Sequence, residues 1–133
     1  MKLNEENRAN VVSHRLRKAE ETLDAAKKNA EMRLWSTAAN RLYYASYYVV
    51  SALLVKQGLT IHTHAGTVGQ FSLHFVKTGI VSAEQGTLYK RLFALRQTGD
   101  YSDTVNIEEA DVKPLIEPTE KFIAEVEKLL KEK

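Results

Sequence analysis

The sequence contains no cysteine. Disulfides, zinc–thiolate sites, iron–sulfur clusters and thiol nucleophiles are thereby excluded. Glycine and proline are scarce, 6 and 2 among 133 residues. So little turn material implies few, long elements, and therefore helices. The glycines are also too thinly spread for a Rossmann or P-loop phosphate cradle. Long hydrophobic runs are missing. The longest apolar stretch, Leu42 to Val55, is interrupted by Ser46 and Ser51 and falls short of the roughly 20 residues a bilayer needs. The N-terminal MKLNEENRAN lacks an apolar core and a small-residue cleavage site. No signal peptide is expected, and the chain reads as cytoplasmic with no membrane partner. Period-2 alternation is absent, so no sheet is expected.

What the chain does have is the composition of a globular protein, with 44% hydrophobic and 27% charged residues. Its length suits one domain spanning residues 1–133. The net charge of +2 hides a gradient. Residues 1–33 carry 8 basic and 6 acidic side chains, residues 34–99 carry 6 basic and only Glu84, and residues 100–133 carry 5 basic and 10 acidic. A basic middle suggests a phosphate-bearing or acidic partner. It also suits a buried middle that has shed its acids.

Five helices are legible. In the first, from about Asn4 to Ala30, Val12, Leu16, Ala19, Leu23, Ala26 and Ala30 repeat at alternating steps of 4 and 3. The second, from about Trp35 to Gln57, is apolar almost all round and stops at Gly58. A helix of that kind is the centre of a bundle or half of an interface. Its tyrosines fall on two neighbouring stripes, Tyr43–Tyr47–Val50 and Tyr44–Tyr48–Ser51. One stripe can face the core; the other must meet something else, which predicts a symmetric homodimer. A third helix runs from about Gly66 to Lys77. Ser82 caps a fourth, Ala83 to Gln97, which Thr98-Gly99-Asp100 should break. The last, Glu108 to Lys131, begins with acids and ends with lysines, and Pro118 should kink it. The expected fold is all-α, an antiparallel four- to five-helix bundle.

Two places stand out chemically. Asn40-Arg41-Leu42-Tyr43-Tyr44 puts a guanidinium into the most apolar helix. Arg41 must reach water, an acid or a phosphate, because a buried unpaired charge is costly. It either bridges to Asp100 or lines an anion site. The second place is Arg96-Gln97-Thr98-Gly99-Asp100-Tyr101, where Arg, Asp and Tyr gather at a helix end. His62 and His64 flank Thr63 in a loop, but no neighbouring acid completes a ligand set. No metal and no cofactor are expected.

With these residues in view, the chain resembles the HEPN superfamily (higher eukaryote and prokaryote nucleotide-binding domains), and most closely its small stand-alone prokaryotic members. The matching stretches are Ala39 to Ala45, His64 before Gly66, Phe71 to Gly79, and Leu95-Arg96 through Asp100-Tyr101. The resemblance implies a bundle of four or five helices, usually a homodimer. It implies in many members a metal-independent endoribonuclease built on Arg-x4–6-His, in which Arg neutralises phosphate and His moves the proton. Arg96 aligns with the motif arginine, yet Tyr101 stands where the histidine belongs. With a usual pKa of about 10, tyrosine is a poor base at neutral pH. The resemblance therefore implies a nucleotide- or RNA-binding module, with Arg41, Tyr44, His64, Arg96, Asp100 and Tyr101 as binding residues. The alternative it leaves is a nuclease using Arg96 with His64 as a relocated base. Family members often pair as toxin and antitoxin with a small nucleotidyltransferase, which in some adds adenylate to a tyrosine near the motif. Tyr101 is the candidate by position.

Overall fold

In a computed structural model, which describes residues 4–132, the chain forms five α-helices and, among those residues, no strand. They are α1 (Glu5–Glu31), α2 (Trp35–Lys56), α3 (His64–Phe71), α4 (Ala83–Tyr101) and α5 (Glu109–Lys131). The π-helical turn Ser72–Val76 continues α3.

The starts follow side-chain capping. Asn4, Thr63 and Ser82 accept from the backbone N–H of Asn7 (2.7 Å), Gly66 (2.8 Å) and Gln85 (3.1 Å). α2 ends as its glycine predicts. Gly58 has φ +78°, and the Gly58 and Leu59 amides bond back to the Val55 and Leu54 carbonyls. α1 ends by the same motif without a glycine. There Arg33 takes φ +61°, and the Arg33 and Leu34 amides reach the Ala30 and Asn29 carbonyls.

α2 is the central helix, packed against α1, α4 and α5. Its fully buried Leu42, Tyr43, Val49, Val50, Leu53 and Leu54 meet Leu92 and Tyr89 of α4 and Phe122 and Val126 of α5 in one core. Burial on this scale is the main stabilising term. Cross-helix contacts fix the directions. Arg15 of α1 meets Ser51 of α2, and Lys18 meets Tyr48, so residue numbers fall on one helix as they rise on the other. Asn40 meets Asp100 and Tyr44 meets Arg96, so α2 and α4 are antiparallel too.

Two expectations are corrected. α3 begins at His64 rather than Gly66, because Thr63 caps it. α4 does not break at Thr98-Gly99-Asp100 but runs to Tyr101. Gly99 packs where a Cβ would stand 3.2 Å from Ile107 Cγ1, and Arg96 pairs with Asp100 one turn on, a contact only a helix makes. α5 is one continuous helix that takes in Pro114 and Pro118. Both prolines are exposed, while the inward face of Val112, Leu115, Phe122 and Val126 is buried and holds the helix down. The two tyrosine stripes divide less cleanly than their spacing suggests. Tyr43 and Val50 are wholly buried, Tyr44, Tyr47 and Tyr48 are half-buried, and Ser51 lies beneath Arg15.

Candidate functional site

The site forms where the first half of α2 faces the end of α4 and the start of α3. Arg96 is its centre. Its Nε donates to Asp100 Oδ2 at 2.9 Å, and its Nη2 donates to the hydroxyls of Tyr44 (3.0 Å) and Tyr101 (3.3 Å). The guanidinium also lies 5.3 to 5.7 Å from the ring centres of Tyr44, Tyr101 and Tyr43. The helical spacing of Arg96 and Asp100 makes the ion pair, and the extra turn of α4 makes the contact with Tyr101. The Arg96 side chain is only 12% exposed, so its direction is fixed in advance.

Arg41 approaches the same ring from its own helix, with Cζ 5.2 Å from the Tyr44 centre. The direct bridge from Arg41 to Asp100 that the sequence allowed is not formed. Arg41 Nε and Nη2 instead donate to Asn40 Oδ1 at 3.0 and 2.7 Å, while Asn40 Nδ2 donates to Asp100 Oδ2 at 3.1 Å. Adjacent residues on α2 point around the helix by about 100°, so Asn40 takes the place next to Asp100 and relays it to Arg41.

His64 enters from the first residue of α3. Its Nδ1 stands 2.7 Å from the Tyr43 hydroxyl, and its ring packs 4.5 Å from that of Tyr47 and 5.6 Å from that of Tyr44. Burial, and secondarily the Arg96 charge, hold its pKa below the usual histidine value. It is therefore neutral at pH 7. Burial also pushes the Tyr43 phenol far up, so it stays protonated. In the tautomer whose Nδ1 accepts from that phenol, the imidazole proton sits on Nε2. Tyr89 stacks on Tyr43 at 6.1 Å and is raised by burial in the same way.

All six residues singled out from the sequence thus meet in one cluster. His62 stays outside it, exposed in the loop before α3. Among the described residues no group of three or more histidine, aspartate or glutamate side chains is placed to hold a metal. Sequence reasoning overlooked Asn40, which connects the two arginine systems, and Tyr43, which orients His64. The neighbouring position of Asn40 was a signal for the first. For Tyr43 the only signal was a polar tip on a buried stripe.

The cluster contains two guanidiniums, one carboxylate and a neutral imidazole, so it carries net positive charge at pH 7. A phosphate monoester or diester is the chemistry that suits it. Comparison with known proteins agrees on ancestry. The HEPN domain family matches residues 12–129. The chain belongs to the HEPN family.

Relatives of this HEPN chain include a "UPF0332 protein" of Thermotoga maritima, 42% identical over 122 residues that make up 92% of each chain. The "Putative toxin MJ0605" of Methanocaldococcus jannaschii is 35% identical over 114 residues, 86% of this chain and 84% of the relative. The "UPF0332 protein glr0978" of Gloeobacter violaceus is 29% identical over 110 residues, 80% of this chain and 85% of the relative. The HEPN match takes in every residue of the cluster. In this HEPN chain Tyr101, five residues after Arg96, is 69% exposed with its hydroxyl 3.3 Å from Arg96 Nη2. No helix among the described residues is long and apolar enough to cross a membrane.

Proposed function

We propose that this HEPN chain is a binding module that takes a phosphate-bearing ligand, a nucleotide or an RNA, at the Arg41–Tyr44–His64–Arg96 cluster. The observation that carries the reading is two guanidiniums set against the one Tyr44 ring, with Asp100 bonded to Arg96 and, through Asn40, linked to Arg41. The half-buried tyrosines beside the cluster support a symmetric homodimer that would sum two such fields. The toxin names carried by two relatives support a place in a toxin–antitoxin pair. A small nucleotidyltransferase is the expected partner. Tyr101 is its expected target: the tyrosine oxygen would bond to the α-phosphorus of ATP, pyrophosphate would leave, and the phenolic proton would pass to solvent. Titration of the purified chain with labelled RNA and with ATP at low and moderate salt tests the binding. Saturable binding lost in Arg96→Ala is the expected result; no binding of either class at low salt overturns the reading.

A second reading, a metal-independent ribonuclease, draws on His64 and Arg96 sharing one cluster. His64 is neutral at pH 7, as a base must be. Its Nδ1, however, is engaged by the Tyr43 hydroxyl at 2.7 Å, so only Nε2 is left to face a substrate. RNA cleavage in the presence of chelator, abolished by His64→Ala and by Arg96→Ala alike, would establish this reading over the first.

A further inference from the structure

The turn from α1 into α2 reads Met32-Arg33-Leu34-Trp35 and departs from two local rules. Arg33 takes φ +61°, a conformation that glycine supplies after α2. Leu34 stands at the N-cap of α2, where serine, threonine, aspartate or asparagine would bond the free amides, and α2 has no side-chain cap. Asn4, Thr63 and Ser82 supply such caps to α1, α3 and α4. A turn selected for stability alone would carry glycine and a small polar residue. This one instead holds apolar side chains out to solvent: Met32 is 64% and Leu34 45% exposed.

The antiparallel bundle brings the connection between α4 and α5 to the same end. A Cβ on Gly99 would stand 3.2 Å from Ile107 Cγ1 and 3.6 Å from Ser36 Oγ, and Arg33 Nη1 lies 3.4 Å from Glu109 Oε1. Val105, two residues before Ile107, is 54% exposed. Tyr101 is exposed here too, but its ring lies against Arg96 and adds nothing to the free surface. Behind the turn a cleft of about 430 Å³ has Ala30, Trp35 and Ile116 as its apolar floor.

The charge around this end is one-sided. From Gln97 to Val112 the chain carries Asp100, Asp103, Glu108, Glu109 and Asp111, and no lysine or arginine. Asp100 and Glu109 are taken by Arg96 and Arg33. Glu108 and Asp111 bond backbone amides at the start of α5, which leaves their charge unmatched. With Asp103, and Glu31 at the end of α1, they make no ion pair among the described residues. Lys28 is held by Asp24, so Lys113 is the cation left to oppose these four.

We propose that this end of the bundle docks a basic segment of another protein, one with apolar side chains set among its lysines or arginines. The apolar side chains cover Met32, Leu34 and Val105 and enter the cleft, while the cations meet the four unpaired carboxylates. Those carboxylates repel a nucleic acid or an anionic lipid surface. A second copy in a symmetric contact would set the acidic end against itself. The proposal does not rest on the phosphate reading, because Arg41, Tyr44, His64 and Arg96 take no part in it.

Fluorescence anisotropy with the full chain tests this. The probes are three labelled amphipathic helical peptides, built from leucine and lysine, from leucine and glutamate, and from glutamine and lysine. The leucine–lysine peptide should bind saturably and the leucine–glutamate peptide should not bind. The glutamine–lysine peptide has charge without apolar anchors, so its weak binding should vanish at moderate salt. Leu34→Ser should weaken the leucine–lysine peptide about tenfold, as loss of an anchor does. Serine is a favoured N-cap, so this variant should melt no lower than wild type. Val105→Ser should weaken the peptide likewise, and nucleotide binding should be the same in both serine variants as in wild type. Asp103→Lys should weaken the peptide most at low salt. Peptide affinity unmoved by Leu34→Ser and Val105→Ser overturns the docking surface, as does equal binding of the leucine–glutamate peptide. Assembly beyond a dimer in light scattering, abolished by Leu34→Ser, also overturns it and gives the surface to a second copy. Each overturning result leaves the Arg41–Arg96 site standing.

Discussion

The Tyr43 hydroxyl stands 2.7 Å from His64 Nδ1, joining the most buried tyrosine of α2 to the first residue of α3. The bond settles which edge of the imidazole faces outward. It also ties the entry of α3 to the centre of the core, so that His64 is held beside Arg96 rather than carried on a free loop.

The first prediction concerns that histidine. Burial and the Arg96 charge both lower its pKa. Arg96→Ala removes the second cause, so the His64 pKa should move up toward the ordinary value, read from its ring proton shifts in an NMR titration. A group whose folded pKa is depressed contributes stability that is present above the unfolded pKa of about 6.5 and is lost as pH falls below it. Wild type should therefore lose more stability than Arg96→Ala on acidification through that range. An unmoved His64 titration would show that the two side chains do not sense each other.

Asp100→Asn tests what the carboxylate does at the site. It accepts from Arg96 Nε at 2.9 Å with its side chain 26% exposed. The amide keeps the shape and removes the charge, leaving Arg96 more open to an outside anion. Affinity for a mononucleotide should rise several-fold, at a stability cost of about 0.5–1 kcal/mol for an incompletely shielded pair. Weaker binding in Asp100→Asn would mean that the aspartate positions Arg96 rather than competes for it.

Glu127 of α5 faces Glu20 of α1. Burial, then a hydrogen bond to Glu20 and its charge, raise the Glu127 pKa to about 7, opposed by Lys131. A raised folded pKa gives stability that is full below the unfolded value and is lost as pH climbs to the folded one. Stability should fall between about pH 4.5 and 7 from this group. Glu127→Gln should stabilise the protein at pH 8 by about 1 kcal/mol after solvent screening, read as a higher melting temperature, and change little at pH 4. Equal effects at both pH values would count against a shared proton.

Arg33 holds φ +61° at the end of α1, where its counterpart after α2 is Gly58. A side chain in that region costs roughly 1 kcal/mol. The ion pair of Arg33 with Glu109 is 3.4 Å long and 72% exposed on the arginine side, so it repays little. Arg33→Gly should stabilise the protein by about 0.5–1 kcal/mol in a urea melt. Destabilisation would mean that the contact of Arg33 with the Trp35 ring, 5.9 Å away, outweighs the backbone strain.

The positions of the helices were legible because their signals are local. The absence of cysteine and the poverty of glycine and proline left helices as the only economical architecture. The repeat of Val12, Leu16, Ala19, Leu23 and Ala26 marked α1, the unbroken apolarity of α2 marked the centre, and Gly58 and Ser82 marked ends. Arg41, Arg96, Asp100 and Tyr101 were legible as polar groups in odd places, and Tyr44 and His64 joined them through the HEPN resemblance. Which of them touch was not, because that depends on the rotation and direction of helices far apart in the chain. The last turn of α4 is one instance: Gly99 reads as a breaker locally but is kept helical by Ile107 packed over it and by the Arg96–Asp100 pair. Asn40 between Arg41 and Asp100 is another, set by the 100° step around α2 once α4 lies beside it. The contact of Arg15 and Lys18 with Ser51 and Tyr48 is a third. Those cations are ordinary surface charges in α1 until the antiparallel pairing sets them beside α2. Periodicity determines which residues share a face of one helix; only packing decides which faces meet, because that choice is made by burial summed over the whole core.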